Sequence, residues 1–356
     1  MADGDGKPLI ALAMGDPAGI GAELLVRLLA DEDVGKAADL MVIGDRRVLA
    51  LGGRQAGSAA DLPDLDGFAS DGRALADLGH LDPGDIEVGA SSQAGGDFAL
   101  VNFRIALKMA AAGVADAVAF TPFNKHSMRL AEGDYVDEIG FIKRTVGAAK
   151  DGSEFNILDE VWNARVTSHI PLAEVAGHIT PERIEKAIDL TLESMEAAGF
   201  ERPRLAVAGL NPHAGDGGNF GREEIDIIEP AVRAAADRQL AVEGPFSPDT
   251  VFLRAQAGLH DAVLTMYHDQ GQIAMKLMGF DRGITLIGGY GFPITTPAHG
   301  TAFDIAGQGK ANPGAAKRAL TIGADMARRR FAGERGFPDR EARIESVRGF
   351  FRGGHA

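Results

Sequence analysis

Residues able to do chemistry gather in this chain where short apolar runs stop. Runs at residues 9–14, 40–43, 117–121, 165–168, 205–210 and 262–267 have the length and aliphatic content of buried strands. Each leads into a loop dense in Gly, Pro, Asp, Asn or His: GDPAGIG after Met14, GDRR after Ile43, PFNK after Thr121, His169-Ile-Pro after Ser168, NPHAGDGG after Leu210 and HDQG after Tyr267. Three of these loops carry a histidine within three residues of the run's end: His169, His213 and His268. One histidine in such a place either caps and hydrogen-bonds locally or binds a ligand. Three in the same topological position point to a shared metal, because neutral imidazoles bind Zn, Co, Ni or Mn and leave positions open for substrate oxygens. His80, His178, His260 and His355 read as solvated or locally hydrogen-bonded.

The elements that must position these loops alternate apolar runs with helix-length amphipathic stretches, the pattern of an α/β protein with a mostly parallel sheet. In such a sheet ligands bind outside the carboxyl ends of the strands, where the histidine loops fall. The clearest helix spans 180–200: Thr180 suits the N-cap, Pro181 the first turn and Gly199 the end. Ile184, Ala187, Ile188, Leu192 and Met195 recur at helical spacing and form its core face. Residues 52–96, rich in Gly, Asp, Ala and Ser, read as loops with short elements. The tail after Gly336 is charged, with a frayed GGHA end expected.

Composition sets the outer bounds. The 356 residues are enough for two lobes. With 51 acidic against 36 basic residues, the net charge of −15 argues against nucleic-acid or anionic-membrane partners. Without any cysteine, disulfides, thiolate catalysis and Cys-ligated zinc are excluded. The start, MADGDGKPLI, has no signal-peptide pattern, and no apolar run reaches the ~20 residues of a membrane span, so a cytoplasmic protein is expected. Neither GxGxxG nor GxxxxGK[ST] is present. If a nucleotide binds, the candidate is the segment 299–313, HGTAFDIAGQGKANP, whose plainer reading is a loop entering a C-terminal helix.

Five motifs carry a family resemblance. GDPAGIG, NPHAGDGGNFGREEIDII (211–228), GPFSPDT (244–250), YHDQGQIAMK (267–276) and HGTAFDIAGQGKANP (299–313) resemble the 4-hydroxythreonine-4-phosphate dehydrogenase family, in order and over most of the chain. That resemblance implies an isocitrate/isopropylmalate dehydrogenase-like fold of two α/β/α lobes with a cleft between them. The expected division is 1–128 with 290–356 as a cofactor-side terminal lobe, and 129–289 as a central lobe for metal ligands and dimerisation. It further implies a homodimer with a shared active site, NAD and a divalent metal (Zn, Co, Mn or Mg) as cofactors, and a small-molecule substrate. By motif match, His169, His213 and His268 are the metal ligands. Lys276 and Asp249 are the catalytic candidates, and Lys276, Thr285, Asn124 and Lys125 the substrate-binding ones. His299, Asp304, Asn312, Gly217 and Glu223 are expected to hold the nicotinamide cofactor.

The departures concern the substrate. Where the family has Gly-His-Thr-Glu, this chain reads Tyr135-Val-Asp-Glu-Ile-Gly-Phe141; the family's substrate asparagine falls on Thr285 and its substrate arginine on Ile294. The segment LIGGYGFPITTPAHG instead resembles dehydrogenases of aromatic cis-dihydrodiols, the terephthalate type. The expectation is metal-assisted hydride transfer from a secondary alcohol of a small hydroxy acid or diol to NAD, with decarboxylation of a 3-oxo acid product left open. The alternatives are an authentic 4-hydroxythreonine-4-phosphate dehydrogenase of pyridoxal phosphate synthesis, a cis-dihydrodiol dehydrogenase, a metal-dependent hydrolase and a non-catalytic binding protein.

Overall fold

A computed structural model describes residues 6–65, 68, 72–279, 281–332, 338 and 340–354. The expectations for His355 and for the last two residues lie outside the described residues. Among the described residues the strands are, in chain order, β1 Leu9–Ala13, β2 Asp39–Gly44, β3 Arg73–Asp77, β4 Ala117–Phe120, β5 Ser153–Ile157, β6 Trp162–Arg165, β7 Leu205–Ala208, β8 Val242–Phe246, β9 Ala262–Thr265, β10 Ile284–Gly288 and β11 Ile294–Pro297.

The chain divides into two compact units. The first comprises residues up to Gly152 together with those from Tyr290, and the second is Ser153–Gly289. The expected boundary after residue 128 is therefore corrected to 152. The cause is packing: helix Glu138–Val146 lies on helix Gln93–Ala111, where Phe141 stacks on Phe103 at 5.6 Å. Arg104 Nη2 also donates to Glu132 Oε2 at 3.0 Å.

In the first unit the strand order is β3-β2-β1-β4-β11, every pair parallel. Ile10, Leu12, Leu40 and Val42 meet Leu25, Leu320 and Ala324 from the covering helices in one buried core. The near-continuous apolar runs of β1 and β2 are what a strand buried on both faces requires. In the second unit the order is β10-β5-β6-β9-β7-β8. There β5 is antiparallel to both β10 and β6, while β6, β9, β7 and β8 are mutually parallel neighbours.

The helix expected over 180–200 is Pro181–Ala197, capped by Thr180 Oγ1, which accepts from Arg183 N at 3.3 Å. Ile184, Ile188, Leu192 and Met195 are buried and Ala187 half-buried, so the spacing argument identified the core face. Two other expectations change. The strand read at 165–168 is Trp162–Arg165, three residues earlier (165 − 162), because β6 buries polar as well as apolar side chains. Arg165 reaches Glu154 at 2.6 Å and Asn156 at 2.8 Å within that burial. The stretch 52–96 is less loop-like than its composition suggests: it holds the end of helix Arg46–Ala56, strand β3 and the start of helix Gln93–Ala111.

Candidate active site

In the second unit, β6, β9 and β7 lie side by side and parallel, so their carboxyl ends open on one edge of the sheet. His169, His213 and His268 each follow one of these ends. The segments after β6 and β9 keep company: Val166 N donates to Thr265 O at 2.9 Å and Thr167 N to Met266 O at 3.1 Å. Thr167 Oγ1 adds a bond to Met266 O at 2.7 Å. The next residues therefore leave the sheet together, and the rings of His169 and His268 come to 5.4 Å between centroids, tilted by 44°. His169 takes a left-handed backbone, φ 51°, which turns its side chain out of the strand direction. Both border a cavity of about 380 Å³ that Thr167, Ser168, Tyr267 and Asp269 also line.

The pair fits the donor chemistry of a divalent metal. His268 Nδ1 lies 2.7 Å from Asp269 Oδ1. A carboxylate at one ring nitrogen holds the tautomer that leaves the other free to ligate. His213 does not join them in one chain: it is exposed, stands 6.1 Å from the Phe220 ring, and does not line the cavity. Among the described residues no group of three or more His, Asp or Glu is placed to hold a metal ion. The chain thus brings two of the three expected ligands together.

The loops after the strands are stitched at their roots. Gln270 Oε1 accepts from Met266 N at 2.6 Å, and its Nε2 donates to Gly209 O at 2.9 Å. Gly209 N donates to Phe246 O at 2.8 Å, which ties in the GPFSPDT loop. On that loop Asp249 is exposed and accepts from Ser247 Oγ at 2.6 Å. Lys276 is exposed on helix His268–Gly279. It stands eight residues beyond His268 (276 − 268), about 12 Å along the axis, and neither it nor Asp249 lines the cavity. Thr285, half-buried on β10, receives Asn156 Nδ2 at 3.5 Å.

Glu223 Oε2 accepts from Asn211 Nδ2 at 2.7 Å. A backbone N–H of its own residue and Asn211 hold the Glu223 carboxyl below the ordinary value. Gly217 is exposed, at φ 65°.

The remaining expected residues lie in the first unit. Asn124 caps helix Lys125–Ala131 through Ser127 N at 2.9 Å, and Lys125 Nζ sits 3.0 Å from Glu138 Oε2. Asp137 caps the next helix through Gly140 N at 2.8 Å. This acidic pair is therefore occupied, one residue by backbone and the other by a cation. Ile294 is fully buried on β11. The segment 299–313 is held against helix Gly21–Leu29 at three points. Ile20 N donates to Thr301 O at 3.0 Å, Arg27 Nη2 to Gly309 O at 2.8 Å, and Ala311 N to Glu23 Oε1 at 2.9 Å. On it His299 is half-buried, and Asp304 and Asn312 are exposed.

Reading the residues alone passed over Gln270, Glu224 and the Arg165–Asn156 pair. The available signal was an amide or carboxylate repeatedly adjacent to a histidine loop, which spacing does not distinguish from an ordinary side chain facing water.

Comparison with known proteins adds to this geometry. Residues 36–323 match the family model described as pyridoxal phosphate biosynthetic protein PdxA. A relative in Rhizobium meliloti (strain 1021), provisionally named 4-hydroxythreonine-4-phosphate dehydrogenase 2, is 55% identical over 92% of this chain and 95% of its own. Relatives 36% identical are named D-threonate 4-phosphate dehydrogenases; the one from Pectobacterium atrosepticum covers 86% of this chain and 95% of its own. The crystal structure of the Klebsiella pneumoniae 4-hydroxythreonine-4-phosphate dehydrogenase superposes with a TM-score of 0.78 at 33% identity, over 92% of this chain and 99% of that one. That of a terephthalate 1,2-cis-dihydrodiol dehydrogenase from Burkholderia xenovorans LB400 reaches 0.61 at 30% identity, over 89% and 98%.

Proposed function

Starting from the premise that the chain belongs to the pyridoxal phosphate biosynthetic protein PdxA family and is a dehydrogenase oxidising a CH–OH group, we propose a divalent-metal- and NAD-dependent homodimer acting on a small hydroxy acid. The observation carrying this reading is the His169–His268 pair lining the cavity. His169 and His268 would hold the metal, with His213 as the third ligand. A divalent cation there would supply Lewis acidity, lowering the pKa of a substrate hydroxyl.

The chain's own groups do the rest. Asp269 keeps the His268 ring oriented through Nδ1. Tyr267 offers a hydroxyl along the cavity to orient a substrate oxygen, and Ile170 and Val175 give the lining beside it an apolar character. Asp249 and Lys276, exposed and outside the cavity in one chain, would manage the departing hydroxyl proton through intervening water. His299, Asp304 and Asn312 would hold the nicotinamide cofactor. The segment 299–313 offers Lys310 but also Asp304, and no arginine, which favours NAD over its 2′-phosphorylated form.

Support for the dimer is twofold. His213 stays apart from its fellow ligands within one chain, and helix His268–Gly279 exposes Ile273 (61%) and Leu277 (84%), apolar surface that association would cover.

On substrate, the Ile294 side chain cannot donate a hydrogen bond and is shut off from solvent, and Thr285 offers only one short, uncharged hydroxyl. Each missing charge-assisted contact costs about 1.5–3 kcal/mol, so 4-hydroxythreonine-4-phosphate is expected to be a poor substrate. A small hydroxy acid or diol without the phosphate fits these losses better. The test is NADH formation by the full-length protein, stripped with chelator and reloaded with Zn, Co, Mn or Mg. The panel holds 4-hydroxythreonine-4-phosphate, D-threonate 4-phosphate, unphosphorylated 3-hydroxy acids and cis-dihydrodiols. We expect loss of turnover on chelation, recovery on reloading and a higher kcat/KM with NAD than NADP. For 4-hydroxythreonine-4-phosphate kcat/KM should stay below about 10⁴ M⁻¹s⁻¹. Light scattering should give twice the chain mass of 37.3 kDa. Undiminished turnover in chelator, or a fully active monomer, would overturn the proposal.

A further inference from the structure

Five successive residues of the NPHAGDGG loop are left-handed: His213 (φ 54°), Ala214 (52°), Gly215 (82°), Asp216 (44°) and Gly217 (65°). Three of them carry a Cβ, and L-residues disfavour this region, so the surroundings must impose it. The restraint comes from Glu224, a carboxylate only 2% exposed. Its Oε1 accepts from both Leu210 N and Asn211 N at 2.7 Å, and its Oε2 accepts from Asn211 Nδ2 at 2.9 Å. These are charge-assisted bonds to the two residues that lead into the left-handed run.

The run then folds back over the same group. A Cβ on Gly215 would stand 2.8 Å from Glu224 Oε2, so only a bare backbone can pass there. Glu224 itself opens the π-helical turn Glu224–Ile228, the kind of irregularity that recurs at functional sites. It does not line the cavity.

We propose that Glu224 is the positioning residue for His213: it pins the loop root and so presents the imidazole at the place a metal ligand is needed. This rests on the reading of His213 as a ligand. Glu224→Gln keeps the size but sets an amide N–H₂ among three donors, and should loosen the run without emptying the core.

The test measures Zn(II) affinity by chelator competition in the full-length protein for Glu224→Gln, His213→Ala and the double variant, together with amide hydrogen exchange over 209–217 without metal. The expected result is affinity about 10–100-fold weaker for Glu224→Gln, no additional loss in the double variant, and faster exchange at Leu210 and Asn211. If Glu224→Gln fails to fold, Asn211→Ala serves instead. It removes the side-chain arm to Glu224, together with the bond to Glu223, and leaves both backbone donors; its smaller loss should likewise vanish in the His213→Ala background. Wild-type affinity in Glu224→Gln while His213→Ala is weakened overturns this assignment alone, as do losses that multiply in the double variant. Unchanged affinity in His213→Ala overturns the metal reading, and this inference with it.

Discussion

Asp16 shows how a single carboxyl can be tuned by enclosure. It is 1% exposed in the GDPAGIG turn, and Oδ1 accepts from Ala18 N at 2.9 Å. Burial raises its carboxyl above the ordinary value, with Ala18 N–H and Ser127 working in the opposite direction. A raised folded-state value means the native protein holds this proton more tightly than the unfolded chain. The contribution of Asp16 to stability is then greatest below the unfolded value of 3.8 and declines as pH rises through the folded one. Asp16→Asn keeps the acceptor for Ala18 and removes the ionisation. Its Tm relative to wild type should therefore improve between about pH 4 and about pH 7. A difference constant across that range would show that Asp16 does not titrate in this way. At this scale the histidines were legible because their type and place past a strand are both unusual. Asp16 and Glu224 were not, since a buried carboxylate and a surface one look alike until their donors are seen. Glu224 serves amides fourteen positions back (224 − 210).

Among the elements, helix His268–Gly279 matters most, because it starts with a ligand candidate and sits on β6. Its contact is close: a Cβ on Gly271 would collide with the side chain of Asn163. Asn163 is fully buried and cannot retreat, since Nδ2 donates to Ala164 O at 3.0 Å, Val263 O at 3.1 Å and Thr265 Oγ1 at 3.2 Å. Gly271→Ala should cost about 1–3 kcal/mol by overpacking. It should also weaken Zn(II) binding, because His268 lies three residues (271 − 268) up the same rigid helix. Calorimetry and metal titration check the two effects, and full metal affinity in a destabilised variant would separate helix packing from the placement of His268. The elements that were legible are those whose burial is wholly apolar or, in β9, apolar but for Thr265: β1, β2, β4, β7 and β9 each fell within or against an expected run. SEFNI of β5 and WNAR of β6 did not announce themselves, because Glu154, Asn156, Asn163 and Arg165 alternate with the buried apolar Phe155, Ile157, Trp162 and Ala164. β3 was hidden by the Gly- and Asp-rich sequence around it.

For the whole molecule, chain order and spatial order differ. The first unit is drawn from two distant segments and the second is continuous. In the first unit β11 pairs with β4, and helix Gly314–Ala332 supplies Ala316, Leu320, Ala324 and Ala327 to the core that holds Leu12 and Leu40. Arg343 closes it with a buried bond at 2.7 Å to Asp116 Oδ2, which also accepts from Leu9 N at 2.7 Å. On the ribosome, then, the N-terminal strands emerge first and are finished last. Nascent chains stalled once residue 289 has cleared the exit tunnel should resist limited proteolysis within 153–289 while residues before 130 are still cut. Protection of both together at that length would refute the order. The interval between leaves β4 with its β11 edge open and its helix missing, and an unpaired apolar strand is a template for pairing with other chains. The histidine-bearing unit, complete in itself, would by then be folded, so a chaperone's window for this protein falls on the other half of the molecule.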